Sequence, residues 1–105
     1  MIVNEELGDA GGFEVINPVA STGITSTVRY PTSGIHKGRA ARAALIVVET
    51  YMIRARWDGT DPDATTGIPI QVGQNIIITG VNNVKNFRCI DTDAGASDVN
   101  VMVYF

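Results

Sequence analysis

The residues of this chain best equipped for chemistry are three aspartates in a run of small turn residues. They are Asp58, Asp61 and Asp63 of the stretch DGTDPDATTG. Calcium takes 6–8 oxygen ligands from a loop that curls around the ion, and three carboxylates this close can supply part of that shell. The three are therefore the metal-ligand candidates. The spacing is not that of an EF-hand, because no glycine stands at the sixth position and no acid at the twelfth. A second acidic stretch, DTDAGASD with Asp91, Asp93 and Asp98, has its glycine one place early. The same residues also make turns. Asp-Gly after a strand supplies a positive-φ position, Asp-Pro starts a second turn with the proline fixing φ, and aspartate side chains accept hydrogen bonds from their own loop. The turn reading needs no ion, and no metal or other cofactor is expected.

Nothing else assembles into a catalytic constellation. The chain has 1 His and 1 Cys. His36 lies far in sequence from Cys89, and there is no HExxH, no CxxC and no glycine-rich phosphate loop after a strand. Cys89, in NFRCID, shares a strand face with Phe87 and reads as a small core residue; a lone cysteine also rules out an intrachain disulfide. Glu49, at the end of an apolar strand, is a conceivable perturbed carboxylate, but a single acid names no reaction. The expectation is a protein that is not an enzyme.

The remaining candidates are cations. Arg54, Arg56 and Arg88 project from strand faces opposite the core. They can pair with Asp58 or Asp91, or meet acidic groups on a partner, where arginine is enriched; the sequence does not choose. Lys37, Arg39 and Arg42 sit in HKGRAAR, which reads as a solvated loop. These six are the interaction candidates.

The elements that must position these residues are strands. Tyr51, Ile53, Ala55 and Trp57 alternate with Met52, Arg54 and Arg56. The nearly continuous apolar ARAALIVVET suits a strand covered on both faces. GIPIQVGQNIIITG reads as a short piece, a turn near Gly73 and a strand over residues 75–79, with Pro69 confining the first piece to a sheet edge or strand start. GITSTVRY, VKNFRCID and DVNVMVYF also alternate, the last with Val99, Val101, Val103 and Phe105 on one side. Helix signals are poor, and only a short helix or turn near Arg39–Ala44 is compatible with the residues. Turn signals between these runs give an all-β reading: a single small β-sandwich, jelly-roll or immunoglobulin-like, of about six to eight antiparallel strands over residues 21–105. Residues 1–20, beginning with the polar, glycine-bearing NEELGDAGG, read as an extended or partner-bound arm. Deleting residues 2–15 is then expected to leave the fold intact.

Composition narrows the partners. Charged residues make up 18% of the 105-residue chain, below the usual ~25%, which suits a surface partly covered by neighbours. A net charge of −3 argues against sequence-independent nucleic-acid binding. The apolar run Ala43–Val48 is too short to cross a bilayer, and the first residues lack the pattern of an export signal. Synthesis in the cytoplasm with no membrane passage is expected.

From Ala43 to Phe105 the chain resembles small virion proteins of tailed bacteriophages. The resemblance is carried by AALIVVET, IRARWDGTDPDATTG, IPIQVGQNIIITG, VKNFRCI and the terminal VNVMVYF. It implies a β-sandwich that acts as a capsid cement or decoration protein in the virion, bound to the major capsid protein and to itself as a homo-oligomer such as a homotrimer. A tail or head–tail connector component is the alternative within that class. The strand and turn of IRARWDGTDPDATTG are also similar to chitobiase-type C-terminal domains, which implies a carbohydrate-binding or adhesive module. That role needs an aromatic platform, and Trp57 falls on the face of Ile53.

Overall fold

The computed structural model describes residues 8–92 and 97–105 as two four-stranded antiparallel sheets packed face to face, with two short helices. The chain is a small all-β sandwich. The first sheet has the order β1-β8-β3-β6, from Ala10–Ile16, Val99–Tyr104, Ala43–Val48 and Asn75–Thr79. The second has the order β2-β7-β4-β5, from Thr22–Gly23, Arg88–Asp91, Ile53–Arg56 and Ile68–Ile70. Helix α1 is Ser26–Arg29 and α2 is Val81–Asn86.

The side-chain period of two puts the core where the alternation requires. Ala44, Ile46 and Val48 of β3 face Val99, Val101 and Val103 of β8 across the ladder. These pack against Ile53 and Ala55 of β4, Cys89 of β7 and the fully buried Phe87 in one cluster. β3 is a central strand buried on nearly every residue, as its continuous apolar run requires. Pro69 lies in β5, the edge strand of the second sheet, where its missing N–H costs no ladder bond. Gly73 turns the chain between β5 and β6 at φ +83, a conformation that favours glycine.

Several expectations are corrected. The stretch read as an arm is not separate from the body: Ala10–Ile16 is β1, paired with β8 from Ala10↔Tyr104 to Ile16↔Val99, and Ile16 is core. Beside that pairing, Asp9 and Phe105 exchange backbone bonds of 3.0 and 2.8 Å. The boundary at residue 20 therefore does not divide arm from sandwich, and a deletion of residues 2–15 removes a strand. Residues 1–7 lie outside the described part.

GITSTVRY is not a strand. Only Gly23 of it pairs, in β2, and one helical turn follows. The Glu14 carboxylate accepts bonds from the Thr25 N–H (3.1 Å) and hydroxyl (2.9 Å), which takes Thr25 out of any ladder. α1 approaches β1 closely because Gly12 has no side chain; a Cβ there would stand 3.2 Å from Val28. In VKNFRCID only Arg88–Asp91 is strand. The first half belongs to α2, entered through Gly80 at φ +103 and held by Val84, which is buried in the core. The short helix or turn expected near Arg39–Ala44 does not form there: the turn lies at residues 35–38, and Ala43 and Ala44 already belong to β3. His36, expected in a solvated loop, is buried and stacks on Phe105 with ring centroids 4.6 Å apart.

Candidate functional site: an aspartate loop, two clefts and an apolar outer face

The aspartate loop joins β4 to β5, and each of its carboxylates has its own partners. Asp58 takes a two-point bond from Arg56, Nε to Oδ1 at 3.1 Å and Nη2 to Oδ2 at 2.6 Å, and also receives the Thr60 N–H. Asp63 receives the N–H of Thr65 and Thr66 at 2.8 and 2.7 Å and the Thr65 hydroxyl at 3.0 Å, all on Oδ1. Asp61 receives the Ser21 hydroxyl at 3.0 Å. No group of three metal-ligating side chains occurs among the described residues. In the second acidic stretch Asp91 accepts the Ser97 N–H and Asp98 accepts from Asn17 and Thr50; Asp93 lies outside the described residues.

These bonds set the electrostatics of the loop. The Arg56 hydrogen bond holds the Asp58 carboxyl below its ordinary 3.8, and Asp58 in turn raises Arg56. The Thr65 amide, then its hydroxyl, hold Asp63 below 3.8. A carboxyl depressed on folding adds stability above its unfolded value and loses it as pH falls through the folded one. The loop is therefore expected to loosen below about pH 4. Replacing Asp63 by Ala should lower the melting temperature by a few degrees at pH 7 and by less at pH 3. An equal loss at both values in a thermal scan would show that the charged form contributes nothing.

Trp57 and Ile68 line a cleft of about 490 Å³ beside this loop, with Arg56, Asp58, Thr66 and Gly67 around them. Trp57 is half-buried and packs against the core cluster, as its alternation with Ile53 requires. Arg54 is half-buried on the opposite face of β4. Its Nη1 donates to Gly67 O at 2.9 Å, and its buried Nε has no partner among the described residues.

Arg88 is exposed on β7, directly opposite Arg56 in the ladder. It joins Arg29, Lys85, Asn86 and Asp61 around a second, polar cleft of about 370 Å³. Arg29 and Lys85 escaped the sequence reading, since no local pattern reports that α1 and α2 meet β7. Lys37, Arg39 and Arg42 are exposed on the segment before β3 and line neither of these clefts. Cys89 is fully buried, and burial, reinforced by Asp91, pushes its thiol up to about 12. It is therefore a poor nucleophile. Glu49 is exposed.

The outer face of the first sheet is also apolar. The register places Phe13, Met102, Leu45 and Ile77 in one row across all four strands. In the next row Val15 and Val47 alternate with Asn100 and Asn75. Leu45, Ala43 and Tyr104 form a buried cluster there, with Val47 and Met102 against it. Toward the two edges the row opens to solvent, with Phe13 56%, Val15 48% and Ile77 41% exposed. The alternation of Phe13-Glu14-Val15-Ile16 was a signal for β1 that the neighbouring glycines obscured.

Compared with known proteins, the chain matches no family model, no curated protein and no solved structure.

Proposed function

We propose that this chain is a non-enzymatic structural subunit of a tailed-phage virion, a capsid cement or decoration protein that binds the major capsid protein and other copies of itself. The observation that carries the reading is the apolar outer face of the first sheet. A sandwich needs only one apolar face per sheet for its own core, and a second one running through Phe13, Met102, Leu45 and Ile77 suits a surface that a neighbour covers. Low charge supports the same reading, as does the single ion pair, Arg56–Asp58, among the described residues. The mechanism is geometric: the sandwich supplies a rigid body, and burying its outer face against neighbours adds roughly 25 cal/mol per Å² before the costs of association. Self-association with three-fold symmetry and residence in the virion belong to this proposal. A tail or connector position shares its physics and differs in ring symmetry.

Phe13→Asp and Ile77→Asp test it, because both side chains are substantially exposed and their loss leaves the inner core intact. Light scattering of the wild type, alone and with capsids of the phage that encodes it, should give an oligomer or a capsid-bound species. Each substitution should weaken association by about tenfold or more, the worth of one buried aromatic or branched side chain. A wild type that stays monomeric and ignores capsids would sink the reading. The Trp57 cleft favours a second reading, a carbohydrate-binding module; in that case the monomer binds glycans and Trp57→Ala abolishes binding.

A further inference from the structure

We infer that the corner between α1, α2 and β7 is a binding groove for an acidic segment of a protein partner, one that carries an apolar side chain next to its carboxylates. The polar cleft there gathers three cations from three elements: Arg29 from α1, Lys85 from α2 and Arg88 from β7. None of the three makes an ion pair with a described residue. The Arg29 Nε has only the Ile24 carbonyl, at 3.4 Å. One carboxylate lines the cleft, that of Asp61, and one of its oxygens holds the Ser21 hydroxyl. Arg88 also faces Arg56 across the β4–β7 ladder; Asp58 compensates Arg56, so of these two the cation without a counter-ion among the described residues is Arg88. An acidic group seated in the cleft would meet donors from three directions. Arginine and lysine also provide more N–H donors than a single carboxylate uses.

The shape of the site selects the occupant. Arg29 and Lys85 also line a neighbouring cleft of about 250 Å³, whose walls include Tyr30 and Val81. Those two side chains are 49% and 45% exposed. The two cations thus stand between a polar depression and an apolar one, and an occupant that fills both has acidic and apolar side chains side by side. A free oxyanion fills only the first. A nucleic acid is disfavoured, because the chain as a whole carries a net charge of −3 and a long polyanion would be repelled beyond the cleft. This inference names a partner chemistry for the assembly reading and rests on that reading only for where the partner comes from; the binding itself is tested without capsids.

The experiment titrates the wild-type protein with three probes at low salt, followed by calorimetry: a capped Glu-Glu-Glu-Leu peptide, its Glu-Glu-Glu-Ala counterpart and inorganic phosphate. The leucine peptide should bind most tightly, and its affinity should fall as salt rises, as screening requires for exposed charges. Arg88→Gln and Lys85→Gln should each weaken it by about three- to fivefold, the upper part of the range for an exposed ion pair. Lys37→Gln, outside the cleft, should leave it unchanged. Lys85 is exposed on α2, so its variant carries the test if Arg88→Gln does not fold. Absence of saturable peptide binding, phosphate binding as tightly as the peptide, or an equal loss in Lys37→Gln would each overturn the inference. If the peptide binds but the wild type neither oligomerises nor recognises capsids, the groove stands and the virion role falls.

Discussion

A chain lacking residues 2–15 should fail to form a stable domain. The deletion removes the strand that pairs with β8 from Ala10 to Ile16, and with it most of that ladder. Each backbone hydrogen bond contributes roughly 1 kcal/mol net, so losing the ladder costs on the order of 5 kcal/mol, comparable with the lower end of whole-domain stability. The loss also strips the Glu14 carboxylate from Thr25 and turns β8 into an open edge. Edges of that kind template aggregation, and β8 carries no charged residue. Circular dichroism and size exclusion should show a destabilised, self-associating species. A truncated monomer with an unchanged melting temperature would mean that β1 is dispensable.

Phe87→Ala should have the next largest effect. Phe87 is fully buried between α2 and β7 and belongs to the central cluster. It has no hydrogen-bonding side-chain group, so its contribution is packing alone. Truncating a buried phenylalanine typically costs about 3–5 kcal/mol through lost transfer free energy and the cavity left behind. For a domain of this size that corresponds to a fall in melting temperature of roughly 15–30 °C. Chemical denaturation should show a lower midpoint with a similar slope, because the same surface is exposed on unfolding. A fall of only a few degrees would show that the neighbours collapse into the space.

The contrast between these two sites follows how each was encoded. Phe87 and Cys89 share a face by simple alternation, and both are core. The same logic makes β3, β4 and β8 readable: a strand buried on both faces is a continuous apolar run, and one buried on a single face alternates. β1 obeys the rule too, but Gly8 before it and Gly11 and Gly12 within it suggested an arm, although Gly12 is what lets α1 pack closely. The two helices are too short for propensity to announce them; contacts decide them, Val84 under α2 and Glu14 against Thr25. The aspartate loop was legible as turns because Asp58 and Asp63 bond to their own loop. The polar cleft and the apolar outer face were not, because each needs residues far apart in sequence to be placed together. Arg29, Lys85 and Arg88 meet only once the sheets have packed, and the Phe13–Ile77 row exists only once four strands are in register.

The pairing of β1 with β8 also sets an order of events in time. The first strand of the sheet waits beside the last, with Ala10 opposite Tyr104, so their contact closes a loop of nearly the whole chain. Such closure is entropically costly and slows the search for the native arrangement. During synthesis β1 has no mate until residues 99–104 emerge, and β3, with β8 as one of its two neighbours, stays half-flanked until the same moment. Completion of the first sheet is therefore a late, nearly all-at-once step, and chains that stop short expose their most apolar strand during that interval.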